Sequence, residues 1–461
     1  MVESDRRRLH EVALATDLYQ MTMGASYHAL EMDSTATFSL MVRKPPKNRS
    51  FMVVAGIQEV MDRLASLQFD QSVRGYLHST GQIRPDFIEA LRDFRFQGDV
   101  WAIPEGSIVF PNEPVLEVQA PILHAQLAET LAINAIHYAM AVATKASRCR
   151  IAAPDASLID FGLRRTPGIE AGLTAARSAY LAGFDGTSNL LAGERYGIPV
   201  AGTVAHSFIE SRPSEIDAFR VFRDTFPGPV TLLIDTYDTV RGAHHAVRVA
   251  KEIEENGNRV AAVRLDSGDL VELSFSVRKI LDEAGLTDVR IIASGGLDEF
   301  ELEQFTRVAA PIDAYGVGTQ IGTAADSPIL DMAYKLVEYE NVGRLKLSTG
   351  KMSLVGPKQV WRRYGPDGFY ERDLVSARDE PAPGDEWTPL LEPVMQAGEI
   401  LKPETLQEGR ERFNLELARL PDRLKVIEGE QPYEVQLSDV LRKRQETAIQ
   451  EARKREGIDA Q

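Results

Sequence analysis

The chain has 461 residues, 44% of them hydrophobic and 26% charged, enough for more than one domain around a large buried core. Its formal charge of −16, from 52 basic and 68 acidic side chains, excludes a general nucleic-acid-binding surface, because phosphate contacts need a basic footprint. The single cysteine, Cys149, excludes an internal disulfide and a cysteine-based zinc site, and suits a cytoplasmic protein.

Residues 1–150 mix helical segments with β-rich pieces. The opening "MVESDRRRLHEVALATD" holds no apolar stretch long enough for a signal peptide. In "VWAIPEGSIVFPNEPVLEVQAP" the Pro and Gly punctuation predicts short antiparallel strands and turns. The window 120–145 is the most membrane-like, yet His124, Gln126, Glu129, Asn134 and His137 interrupt it. It therefore predicts a buried or amphipathic helix and no membrane span.

From 151 to 340 short β-branched runs alternate with segments of helical spacing. The runs are "SLIDFG", "IPVAGT", "VTLLIDT", "VAAVRLDSGD", "VRIIASGG" and "IDAYGVGT", with helical stretches such as Thr239–Asn256 and Leu270–Ala284 between them. This alternation predicts βα units and a parallel sheet. So many units with polar strand ends favour a barrel over a doubly wound sheet, and in both the site lies beyond the carboxyl ends of the strands. Residues 341–437 read again as strands and turns, through "GRLKLSTGKMSLVGPKQVWRRYGPDGFYERDLV". Residues 438–461 read as a charged, solvated helix.

Chemistry-bearing residues collect at the predicted strand ends. Arg164 and Arg165 follow "DFG"; paired donors at a strand end suit a carboxylate or phosphate, although adjacent arginines commonly sit on a solvated face. "RLDSGD" brings Arg264, Asp266 and Asp269 into one turn, which suits ribose hydroxyls and the Mg²⁺ of a phosphorylated sugar. The plainer alternative there is a helix N-cap by Asp266 or Ser267. Ser294, Gly295 and Gly296, then Gly316, Gly318 and Thr319, form two glycine turns after strands, where backbone N–H groups can approach a phosphate. Neither GxGxxG nor GxxxxGK[ST] occurs. His206 follows "IPVAGTVA", and Asp235 ends the next run, from where its carboxylate could fix the imidazole tautomer. A barrel enzyme with an aldolase-type lysine is the bland alternative, with Lys335 its one candidate.

Assembled, these strings resemble the nicotinate phosphoribosyltransferase family. "TDLYQMTM", "DFGLRR", "GFDGTSNLLAGERYGIPVAGTVAHS", "LIDTYDT", "VRLDSGDL", "ASGGLDE", "APIDAYGVGT" and "KQVWR" follow the family's order from Thr16 to Arg362. The resemblance implies an irregular α/β barrel of the type II phosphoribosyltransferase kind, with a second α/β domain formed from both ends of the chain. It implies transfer of a phosphoribosyl group from 5-phosphoribosyl-1-pyrophosphate to nicotinate, coupled to ATP with Mg²⁺, in a cytoplasmic homodimer with sites at the interface.

By position, the resemblance puts Phe161 against the pyridine ring, Arg164 near its carboxylate and Tyr19 of the other subunit on the opposite face. Arg264, Asp266 and Asp269 fall at the ribose and pyrophosphate, with Asp266 and Asp269 as indirect Mg²⁺ contacts and Arg165 among the phosphate contacts. Ser294, Gly295, Gly296, Gly318 and Thr319 fall at the 5′-phosphate. His206 falls where ATP phosphorylates a histidine, oriented by Asp235. Ser188 stands where nicotinamide-using relatives are expected to carry aspartate, and removing that charge suits an acid substrate. Thr166-Pro167 and Val204 depart from the family pattern without removing an assigned group. The alternatives are a nicotinamide or quinolinate phosphoribosyltransferase, and a non-catalytic homologue that binds metabolites of NAD.

Overall fold

The computed structural model describes residues 3–226, 228–254, 259–347 and 353–458. The chain divides into two compact units, Val142–Pro328 and the combination of Met1–Ala141 with Ile329–Gln461. The fold is the α/β architecture expected, with an irregular parallel sheet in one unit and a second α/β unit drawn from both chain ends.

The contiguous unit is built on six parallel strands. Their spatial order is Gly186–Thr187, Ser157–Asp160, Ala314–Val317, Arg290–Ser294, Val260–Leu265 and Val230–Leu233. Helices such as Thr239–Glu254 and Leu270–Glu283 connect them. The crossover helices bury one face of this parallel sheet, and the other face is half-buried in most of the strands, which is why they read as largely apolar runs.

One expected strand is missing. "IPVAGT" contributes a single bridge, Val200 with Thr187, held by Thr187 N–H to the Pro199 carbonyl and Ala201 N–H to the Thr187 carbonyl, both at 3.0 Å. Pro199 has no N–H with which to extend a ladder. The segment 198–205 runs instead from the Thr187 edge to His206, on the side of the opposite edge strand. Among the described residues this crossing segment takes the place of a ladder between the two edge strands, which is the irregularity of the barrel.

The other unit holds a seven-stranded antiparallel sheet in which Thr35–Val42 lies between Pro114–Pro121 and the late strand Met332–Tyr339. A four-stranded sheet carries Lys358–Tyr364 and Tyr370–Ala377, and its edge strand Val435–Leu437 precedes the charged helix Asp439–Arg455. Buried Arg362 is paired to Asp373 at 2.6 Å and Glu416 at 2.9 Å, and lies 4.1 Å from the Tyr370 ring centre. Parts of the expected segments, 255–256, 348–352 and 459–461, lie outside the described residues. The window 120–145 falls in one long helix, Ile122–Ala152, and no described helix is long and apolar enough to cross a membrane.

His124 on that helix gives the unit a pH dependence. Its ring stacks on Phe94 at 4.5 Å, and Nδ1 accepts the Gln97 N–H at 3.1 Å. Burial pushes its pKa down to about 4 from 6.5. Below pH 6.5 the unfolded chain takes up a proton that the folded chain refuses, so stability falls as pH falls through that window. Between pH 7 and 5 the wild-type protein should lose about 2 kcal/mol that His124→Gln does not, read as the difference between their denaturant midpoints. Parallel curves for the two proteins would contradict this.

Candidate active site

The carboxyl ends of the parallel strands present, in spatial order, Ser188, Phe161, Gly318 with Thr319, Gly295 with Gly296, Asp266 and Asp235. Residues spread through the sequence from Phe161 to Thr319 become neighbours because each ends an adjacent strand.

Asp160 organises the first end. Its Oδ1 accepts the Gly162 N–H at 2.8 Å, its Oδ2 accepts the Thr187 hydroxyl at 2.7 Å, and its carbonyl accepts the Ser188 N–H at 2.8 Å. Burial raises its pKa, against the opposing hydrogen bonds from Thr187 and Gly162. One carboxylate thereby fixes the spacing between Phe161 and Ser188. Gly316 makes room for the Phe161 ring, since a Cβ there would come within 2.4 Å of it. Ser188 is exposed, as are Arg164 and Arg165, which sit together in the short turn Leu163–Arg165.

Arg264 is the centre of the array. Its guanidinium carbon lies 5.4 Å from the Phe161 ring centre. It donates to Ser294 Oγ at 2.8 Å, Thr203 Oγ1 at 3.0 Å and Asp266 Oδ1 at 2.7 Å. Ser294 in turn donates to Asp266 Oδ1 at 2.5 Å. Burial pushes the Asp266 pKa up, but Ser294, Arg264 and His206 together hold it below the ordinary carboxylate range. The Gly295 backbone has φ +101°, and a Cβ there would meet the Asp266 carbonyl at 2.1 Å, so only glycine permits this turn.

Two expected contacts differ. Asp235 does not orient His206: its Oδ2 accepts the Asp266 N–H at 2.9 Å and the Ser267 hydroxyl at 2.7 Å, while its buried Oδ1 has no hydrogen-bond partner. Thr236, one residue on, meets His206 Nδ1 at 3.1 Å. Both residues lie in the turn that follows the strand Val230–Leu233, and that turn brings Thr236 to the imidazole and Asp235 to the Asp266 N–H and the Ser267 hydroxyl. The helix cap in "RLDSGD" is neither Asp266 nor Ser267. It is Asp269, whose Oδ1 accepts the Glu272 N–H at 3.1 Å at the start of Leu270–Glu283.

His206 opens the five-residue helix His206–Glu210, with its side chain 38% exposed and Nε2 at 3.9 Å from Asp266 Oδ2. Tyr19 belongs to the other unit, on the helix Leu18–Ala29, and is 47% exposed. Asp160, Thr203 and Thr236 carry contacts that sequence reasoning missed. Each lies within a quoted string, but only the sheet order shows what it faces. Cys149 is buried, and the described residues contain no cluster of three His, Cys, Asp or Glu side chains able to hold a metal.

Comparison with known proteins is consistent along the whole chain. Residues 14–137 match the model of the nicotinate phosphoribosyltransferase N-terminal domain, 156–353 that of the nicotinate phosphoribosyltransferase family, and 383–445 that of its C-terminal domain. A nicotinate phosphoribosyltransferase of Mycobacterium tuberculosis is 45% identical over 94% of this chain and 93% of its own. One from Bacillus subtilis is 38% identical over 80% of this chain and 77% of its own. The crystal structure of human nicotinic acid phosphoribosyltransferase superposes with a TM-score of 0.85 at 31% identity, covering 94% of this chain and 99% of that one. By sequence, fold and the order of its strand-end motifs, the chain belongs to the nicotinate phosphoribosyltransferase family.

Proposed function

We propose that this chain joins nicotinate to 5-phosphoribosyl-1-pyrophosphate. The pyridine nitrogen forms a bond to the anomeric carbon, the bond from that carbon to the diphosphate oxygen breaks, and pyrophosphate leaves with the electron pair. The observation that carries the reading is Arg264, held between the Phe161 ring, Asp266 and Ser294. It lies where a flat anionic ring and a phosphorylated sugar would have to meet.

The nicotinate ring stacks on Phe161, with Arg164 toward its carboxylate. Ser188 offers a hydroxyl where a carboxylate would repel the substrate. Gly295, Gly296, Gly318 and Thr319 receive the 5′-phosphate, Asp266 and Asp269 face the ribose hydroxyls, and Arg165 adds charge for the diphosphate. Positioning two anions against each other is most of the catalysis, since nicotinate's ring nitrogen is already unprotonated near neutrality and needs no general base.

Mg²⁺ supplies positive charge to the leaving diphosphate. Asp266 Oδ1 is committed to Arg264 and Ser294, and Asp269 Oδ1 to a helix cap, which leaves one carboxylate oxygen on each outside those bonds. That donor set fits an ion arriving already bound to the diphosphate rather than one resident on the protein. His206 accepts a phosphoryl group from ATP, and the protein acts as a homodimer in which Tyr19 of one subunit faces the pyridine of the other. Exposed Ile169, Leu190 and Val200, at 65%, 75% and 53%, support a partner chain covering the Ser188 edge.

The test offers phosphoribosyl pyrophosphate and Mg²⁺ with nicotinate, nicotinamide or quinolinate, each with and without ATP. Nicotinate mononucleotide from nicotinate alone, increased by ATP, is expected; product from quinolinate with loss of carbon dioxide would replace the reading. Gly316→Ala tests the ring pocket. Displacing Phe161 should raise the nicotinate KM about five- to tenfold, the loss of one stacking contact of ~1–1.5 kcal/mol. An unchanged KM would remove Phe161 from the pocket.

A further inference from the structure

Behind the strand ends lies a charged cluster to which the reaction assigns no part. Lys145 and Arg148, one turn apart on the helix Ile122–Ala152, point into the protein interior and are 0% and 3% exposed as side chains. Between them sits the fully buried carboxylate of Glu299, with Oε2 at 2.6 Å from Lys145 Nζ and Oε1 at 2.8 Å from Arg148 Nε. Lys145 Nζ also donates to Asp326 Oδ1 at 2.8 Å.

The positions of the two carboxylates in the chain are what matter. Glu299 is the first residue of the helix Glu299–Arg307, three residues after Gly296. Between them Leu297 is buried and Asp298 caps the helix through a reciprocal pair with Glu301. Asp326 ends the short turn that begins at Gly318 and Thr319: the helix Thr319–Gly322 runs into it through Ala325 N–H to the Gln320 carbonyl at 3.1 Å. One ammonium therefore ties down the segments that follow both glycine turns. Burial alone pulls the Lys145 pKa down, but Glu299 and Asp326 outweigh it and keep the group charged.

Stability does not explain such a cluster. Apolar side chains of similar volume commonly replace a buried ion group at no loss, whereas directional bonds fix position in a way that apolar packing does not. We propose that Lys145 is a positioning residue that sets the separation of the two glycine turns, Gly295–Gly296 and Gly318–Thr319, and hence the affinity for the sugar's 5′-phosphate. The proposal rests on the phosphoribosyl-transfer reading of those turns.

The test uses ribose 5-phosphate and inorganic pyrophosphate as separate competitive inhibitors of the full-length enzyme, alongside the two substrate KM values. Lys145→Met leaves Glu299 paired with Arg148 and removes the ammonium that bonds both Glu299 and Asp326. It should raise the ribose 5-phosphate Ki and the phosphoribosyl pyrophosphate KM about tenfold together. The pyrophosphate Ki and nicotinate KM should stay within about twofold. Asp326→Asn takes the charge from only the second Lys145 tie, at a partly exposed residue, and should raise the ribose 5-phosphate Ki about threefold in a protein that still folds. An unchanged ribose 5-phosphate Ki in folded Lys145→Met overturns the proposal, as does an equal rise in both Ki values. Should Lys145→Met not fold, an unchanged Ki in Asp326→Asn overturns it. Wild-type enzyme that ribose 5-phosphate does not inhibit would instead sink the reading on which the proposal rests.

Discussion

Arg264→Met should lower kcat/KM for phosphoribosyl transfer by about 10³-fold, equivalent to ~4 kcal/mol of transition-state stabilisation. The size follows from how many partners lose their cation at once. Ser294, Thr203 and Asp266 each accept from this guanidinium, and its carbon lies over the Phe161 ring at 5.4 Å from the centre. Arg264→Lys should recover little, because an ammonium keeps the charge but cannot reach three acceptors in a fixed fork. The same substitution carries a pH signature. Burial pushes the Asp266 carboxyl up, and Arg264 is one of the groups that hold it down. Without the guanidinium its pKa rises, so the acidic limb of the rate profile should move to higher pH in Arg264→Met. Steady-state kinetics across pH, on protein whose melting temperature matches wild type, check both parts. A loss below tenfold with an unmoved acidic limb would show that Arg264 is a structural residue only.

His206→Ala should reduce ATP hydrolysis to background and abolish stimulation by ATP, while slow transfer from phosphoribosyl pyrophosphate to nicotinate persists. The imidazole is exposed enough for a phosphoryl group to reach it, and the transfer step itself needs no base. His206 and Arg264 are also linked through one stretch of chain. Thr203, which accepts from Arg264, lies three residues before His206 on the crossing segment, and Asp266, paired to Arg264, lies 3.9 Å from His206 Nε2. A phosphoryl group on His206 would place new negative charge beside Asp266 and shift that whole group, which is coupling through differential affinity for two states. Transfer of label from ATP to wild-type protein, absent from His206→Ala, is the direct measurement. Stimulation by ATP that survives the substitution would exclude His206 from the coupling.

Much of the catalytic unit was legible because its strands are apolar runs that end in polar residues, and a parallel sheet stamps that pattern on any sequence forming it. "SLIDFG", "VTLLIDT", "VAAVRLDSGD", "VRIIASGG" and "IDAYGVGT" each yielded a strand and a loop. "IPVAGT" has the same composition, yet its proline cannot donate to a ladder, and its turn into a crossing segment depends on edge strands that are far apart in sequence. The His206 partner was misread for a related reason. Asp235 and Thr236 are adjacent in the turn after Val230–Leu233, and which of them faces an imidazole from elsewhere in the fold depends on the path of that turn, a property without local signature. Asp160 was visible only as a strand end, since two of its three hydrogen bonds come from Thr187 and Ser188, whose proximity the sheet creates. Lys145 was hidden more deeply, inside a helix whose sequence reads as apolar and small.

The interleaving of the second unit has a consequence for how the protein is made. Thr35–Val42 is a central strand with seven of its eight residues buried, and one of its two neighbours, Met332–Tyr339, is encoded almost three hundred residues later. At ~5–20 residues per second a ribosome needs tens of seconds to supply that neighbour. Throughout that interval the strand presents an apolar face and an open hydrogen-bonding edge, the features that template wrong pairings. The contiguous unit Val142–Pro328 emerges whole in the same interval and can fold on the ribosome. Soluble yield should therefore respond to translation speed and chaperone supply through the amino-terminal strands, even though the reaction chemistry sits on a segment that has no such wait.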